Sequence, residues 1–93
     1  DLNKTELKDQ IKKKKKNFSY FIKVADFYYK DSAQLMINRI KNETSIKEIK
    51  IIELSKTKFR VILGPFDDIK SIEESFNEIK LLEFENLEII KNV

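Results

Sequence analysis

Apolar residues recur along this chain first every second position, then every three to four, in the order strand, helix, strand, strand, helix, strand. That order predicts an α+β domain: one four-stranded antiparallel sheet of ferredoxin/RNP-like β-α-β-β-α-β type, with both helices on one face. Three observations carry the prediction. Residues 18–27 are rich in aromatic and β-branched types, residues 46–63 hold two alternating runs joined by a very short connection, and residues 31–41 and 68–82 switch to a helical period. The 93-residue length admits one domain and excludes two full ones.

The first strand is predicted over 18–27, with Tyr20, Ile22 and Val24 on one face and Phe21, Lys23 and Ala25 on the other. Ala33, Met36, Ile37 and Ile40 then follow i, i+3, i+4, i+7, the apolar side of a helix over 31–41. Asp31 with Gln34 forms a capping-box pattern at its start, and Asn42 is placed to end it. Residues 46–54 read as the second strand and 58–63 as the third. The connection Ser55-Lys56-Thr57 makes the pair an antiparallel hairpin. On the third strand Phe59, Val61 and Leu63 share one face, Arg60 and Ile62 the other.

Gly64-Pro65 is expected to halt the third strand, because proline donates nothing to a ladder and glycine permits an unusual φ. The second helix spans about 68–82, with Ile69, Ile72, Phe76 and Ile79 as its stripe. Asp67 or Asp68 can cap it, and Ser71 with Glu74 offers a cap one turn later. Residues 87–91 supply the fourth strand. Two helices cover one face of such a sheet, so the reverse face is predicted open and is the natural place for a ligand.

Charge is unevenly placed. Residues 1–17 hold seven lysines, including the run Lys12 to Lys16, against three acidic residues, a net of +4, whereas residues 18–93 hold 12 basic and 13 acidic residues, a net of −1. The chain therefore divides into residues 1–17, a basic linker or frayed helix, and a domain over 18–93. Adjacent lysines of this kind are also a patch attracted to anionic polymers or lipid headgroups. No run approaches the ~18–20 apolar residues that span a bilayer, so no membrane insertion is expected in this segment. The lack of a starting Met and signal pattern, and an end soon after an apolar run, lead us to expect the C-terminal module of a longer protein.

Composition narrows the chemistry. There is no Cys, so no disulfide scaffold and no thiolate metal site; there is no His, so no imidazole base; one glycine does not make a phosphate-cradling loop. No residue set supplies an activated nucleophile with its base, so we expect a binding module rather than an enzyme, with no cofactor and no metal. The acidic pairs Asp67-Asp68 and Glu73-Glu74 are explained by helix capping, the helix dipole and solvation.

The segments Ile22-Lys23-Val24-Ala25-Asp26-Phe27, Ala33 at a helix start, and Phe59-Arg60-Val61-Ile62-Leu63-Gly64-Pro65-Phe66 resemble the SPOR domain, the sporulation-related repeat. The likeness covers residues 18–91, and Arg-Val-x-x-Gly-Pro-Phe is its specific part. Lys23 stands where the family has Gln, Ala25 where it has Gly, and Tyr28 and Tyr29 follow Phe27 where the family often has Ser or Thr. The resemblance implies a non-catalytic module for peptidoglycan glycan strands lacking stem peptides. It also implies a monomer in the periplasm or cell envelope at the division septum. The implied parent is a septal lytic transglycosylase of the rare lipoprotein A type or a division protein with an N-terminal membrane helix.

The candidate glycan-binding residues are Phe21, Lys23, Tyr28, Tyr29, Arg60 and Ile62; Gly64, Pro65 and Phe66 are structural, turning the chain and plugging the core. A sugar offers C–H faces to aromatic rings and hydroxyl edges to polar groups. Loss of the stem peptide frees a lactyl carboxylate on each muramic acid, which Arg60 can hold with a two-pronged hydrogen bond and Lys23 with a point charge. The competing pairing for Arg60 is with Glu53 or Glu48 across the hairpin. Two other classes share the strand–helix order. A nucleic-acid binder would need aromatic rings patterned on its central strands, which Lys58-Phe-Arg-Val-Ile-Leu63 lacks, and no nucleic acid is expected as partner. A protein-interaction domain would use the open face or a sheet edge.

Overall fold

A computed structural model describes residues 19–91 of the chain. The basic leader of residues 1–17 and Phe18 lie outside the described residues. The order of elements is β1 (Tyr20–Phe27), α1 (Lys30–Glu43), β2 (Ile49–Ser55), β3 (Lys58–Phe66), α2 (Ile69–Lys80) and β4 (Glu88–Lys91). The four strands form one antiparallel sheet in the order β2-β3-β1-β4, the predicted architecture.

Each helix buries one stripe. α1 buries Ala33, Ile37 and Ile40, with Met36 half-buried beside them; α2 buries Ile72 and Ile79, with Phe76 half-buried. These side chains meet Ile22 and Val24 of β1 and Phe59, Val61, Leu63 and Phe66 of β3 in one core. A fully buried isoleucine such as Ile22, Ile40 or Ile79 contributes roughly 1.5–3 kcal/mol relative to exposure. Ile69, assigned to the apolar stripe from sequence, is the first residue of α2 and is exposed.

The ends of the elements are set by specific bonds. Tyr29, not Asp31, is the N-cap of α1; it is extended and makes no side-chain cap bond, and Asp31 lies inside the first turn, where its charge meets the helix dipole. The helix runs past Asn42 to Thr44, whose N–H and Oγ1 both donate to the Ile40 carbonyl at 2.9 and 2.7 Å. At α2, Asp68 caps as expected, accepting from the Ser71 N–H at 2.8 Å and its hydroxyl at 3.0 Å. Ser45 donates its N–H and hydroxyl to Glu78, 2.5 and 2.8 Å, tying the α1–β2 connection to α2.

The hairpin turns through Lys56 and Thr57. β3 is not halted at Gly64-Pro65: it runs to Phe66 with a cis peptide between them and one residue more than β1 opposite, a bulge that lets the ladder continue from Ile22–Leu63 to Tyr20–Phe66. Gly64 has φ +122°, and a Cβ there would stand 2.9 Å from the Tyr20 carbonyl oxygen. The backbone conformation thus demands glycine at this position.

A second bulge has the larger consequence. Between Lys23–Ile62 and Ala25–Val61, β1 carries Val24 as its extra residue. Alternation is reset there. Ala25 and Phe27 turn toward the helices and pack on the core, and Asp26 turns to the reverse face opposite Arg60. The sequence reading, which kept strict alternation, placed Ala25 on the open face.

Candidate functional site

The face of the sheet away from the helices is a polar surface laid over a small apolar floor. By register its residues are Phe21, Lys23 and Asp26 of β1, Lys58, Arg60 and Ile62 of β3, Lys50 and Ile52 of β2, and Glu88 and Ile90 of β4. Four cations thus share this face with two carboxylates.

At its centre Arg60 donates from Nε to Asp26 Oδ1 at 2.7 Å and from Nη2 to Asp26 Oδ2 at 3.0 Å. Lys23 Nζ stands 3.7 Å and Lys58 Nζ 3.8 Å from the same carboxylate, and Lys23 also reaches Glu88 at 4.0 Å. The two hydrogen bonds from Arg60 hold the Asp26 carboxyl below its ordinary value, helped by the charges of Arg60, Lys23 and Lys58 and opposed by burial. The same bonds push the Arg60 guanidinium further up. Two of the five guanidinium N–H groups serve this pair, leaving three for a ligand on a side chain that is 21 % exposed. The partner of Arg60 is therefore Asp26 rather than Glu53 or Glu48. Asp26 is the residue that sequence reasoning missed, since only the bulge brings it to this face.

Phe21 and Ile62 occupy the face assigned to them but are 8 % and 1 % exposed. They form the floor rather than contact surface. The Phe21 ring approaches the Gly64 backbone and lies 5.9 Å below Lys50 Nζ, and Ile62 sits mid-face on the inner strand β3 between Lys23 and Lys50. Their direct contact with a ligand is thus corrected to a supporting role. Lys50, which sequence reasoning also passed over, is exposed above that floor. Its signal was present in the hairpin register, which sets it opposite Ile62.

Tyr28 and Tyr29 stand at the rim, 60 % and 66 % exposed, in an edge-to-face pair with ring centroids 4.8 Å apart. Neither covers the core edge. Gly64 and Phe66 are buried, with Phe66 in the core, and Pro65 is exposed.

Beside the face, β4 pairs with β1 only from Tyr20 to Lys23. The rest of β1 is flanked by the α2–β4 connection. The two walls, Lys23 to Asp26 and Glu83 to Asn86, enclose a cleft of about 460 Å³. Among the described residues, no helix is long and apolar enough to cross a membrane.

The sequence matches the SPOR domain family over residues 16–87. The fold is similar to the crystal structure of the RlpA SPOR domain from Pseudomonas aeruginosa, with a TM-score of 0.60 and 17 % identity over 78 % of this chain and 99 % of that one. No curated protein sequence is similar enough to match.

Proposed function

This chain belongs to the SPOR domain family, a family of non-catalytic peptidoglycan-binding modules of the cell envelope, and we propose that its open sheet face binds glycan strands from which the stem peptides have been removed. The supporting observation is the cation-rich face, where Lys23, Lys50, Lys58 and Arg60 outnumber Asp26 and Glu88 above an apolar floor. A strand stripped of peptides carries a carboxylate on each muramic acid, the charge this surface complements. Lys50 stands over the Phe21 ring rather than in a carboxylate pair, and Lys23, Lys58 and the remaining Arg60 donors share the face with it. The exposed Tyr28 and Tyr29 rings offer stacking surface for a sugar at the rim.

This ligand is made where amidases act on the wall, so the module directs its parent protein to the division septum from the periplasmic side. A parent with an upstream lytic transglycosylase domain fits such targeting, since the module itself contributes only binding. Co-sedimentation tests the reading. The chain should pellet with amidase-treated sacculi and far less with intact sacculi or with RNA; equal pelleting with treated and untreated wall would refute it. Arg60→Ala should weaken pelleting while the domain stays folded, and unchanged binding would remove Arg60 from the site.

A further inference from the structure

The cleft between β1 and the α2–β4 connection is a built feature. β1 continues four residues beyond its last partner on β4, so the β4-side backbone groups of Val24 to Phe27 have no ladder partner there. The opposite wall is fixed in place. Glu83, at φ 62°, turns the chain out of α2, and its N–H bonds the Lys80 carbonyl at 3.0 Å. Phe84 packs against the core, with the Arg39 guanidinium 5.6 Å from its ring centre, and Arg39 is itself held by Glu43 at 2.8 Å. The cleft opens onto the binding face at Lys23 and Asp26, residues common to both. Its volume is in the range of small-ligand sites.

A strand edge presents N–H donors and C=O acceptors in alternation, and the chemistry that answers one of each is a secondary amide. A sugar hydroxyl lacks this fixed pairing, and a carboxylate has no N–H to give. We propose that this cleft is the subsite for the acetamido group of an N-acetylated amino sugar. The amide lies against the free β1 edge at residues 24–26 and the methyl group lies toward Phe84. The proposal rests on the glycan-binding reading and adds a requirement for N-acetylation that charge on the sheet face does not impose.

Amide resonances of the isotopically labelled chain, titrated with soluble peptide-free glycan strands and with the same strands after N-deacetylation, test it. Acetylated strands should shift the amides of Val24 to Asp26 and Phe84 to Asn86 together with those of Lys50 and Arg60. Deacetylated strands should leave the cleft amides unmoved. Shifts on the face without shifts in the cleft, or equal cleft shifts with both strands, would overturn the acetamido subsite and leave the face reading intact. No shift anywhere would refute both. Asn86→Trp, an exposed loop change that narrows the cleft, should weaken binding to acetylated strands about ten-fold with the fold retained, the scale of losing a polar contact in a closed site; wild-type binding would count against the subsite.

Discussion

Asp26 on β1 and Arg60 on β3 face each other across the sheet, and two parallel hydrogen bonds of 2.7 and 3.0 Å join the carboxylate to the guanidinium. Both side chains are more than three-quarters shielded from solvent. The pair stands directly after the β1 bulge, so it fixes the reset register at the point where alternation would otherwise be ambiguous. Asp26→Ala should cost about 1.5–3 kcal/mol, because it removes two charge-assisted bonds and leaves Arg60, Lys23 and Lys58 crowded without an anion. Urea denaturation measures this. A loss under about 0.5 kcal/mol would place the pair among surface ion pairs of little consequence.

The same pair predicts acid sensitivity with a definite sign. The Asp26 carboxyl lies below its ordinary value of 3.8, so the folded chain releases that proton more readily than the unfolded chain. Its contribution is complete above the unfolded value and is lost as pH falls through the depressed folded value. Stability should therefore drop below about pH 4, and Asp26→Asn should flatten that part of the curve while lowering the plateau. Denaturation midpoints between pH 7 and pH 2 for both proteins decide it; parallel curves would assign the acid limb to other carboxylates.

Gly64 is the most constrained backbone position described. With φ +122° and the Tyr20 carbonyl oxygen 2.9 Å from a would-be Cβ, Gly64→Ala must move backbone on either β1 or β3. The expected loss is about 2–3 kcal/mol, combining left-handed strain with the clash. Because the bulge also supports the Phe21 floor, the variant should weaken wall binding beyond what its stability loss explains. Stability equal to that of the parent chain would contradict the close approach.

Glu83 predicts the opposite direction. It holds φ 62° without being glycine, at an exposed position where α2 gives way to the loop. Glu83→Gly relieves that strain and should stabilise the domain by about 0.5–1 kcal/mol. Thermal denaturation would show a higher midpoint, and a lower one would mean that loss of chain stiffness outweighs the strain.

The order of the six elements was legible because periodicity of two and of 3.6 survives in the sequence wherever one face is buried. Ile22 and Val61 mark strands, and Ala33, Ile37 and Ile40 mark a helix, by spacing alone. The β1 bulge at Val24 was not legible, since an inserted residue of a good strand type leaves no local mark. Ala25, just beyond it, was therefore assigned to the wrong face, and nothing in the alternation showed that Asp26 reaches the open one. The burial of Phe21 and Ile62 was hidden for a different reason. Alternation tells which side a residue takes, whereas exposure depends on how far neighbours such as Lys50 lean over it.

Lys50 gives the sharpest test of the charged face, because it stands over an apolar ring instead of in a carboxylate pair. Lys50→Glu exchanges a cation for an anion at an exposed strand position, so the fold should change by about 0.5 kcal/mol or less. Attraction to the anionic strand should fall, and with it the salt dependence of pelleting with amidase-treated sacculi. Arg60→Ala, by contrast, frees Asp26 and combines a stability cost with a binding cost. Binding by Lys50→Glu that equals the parent at low salt, with the same salt dependence, would mean that contact with sugar hydroxyls and rings, rather than charge, holds the strand to this surface.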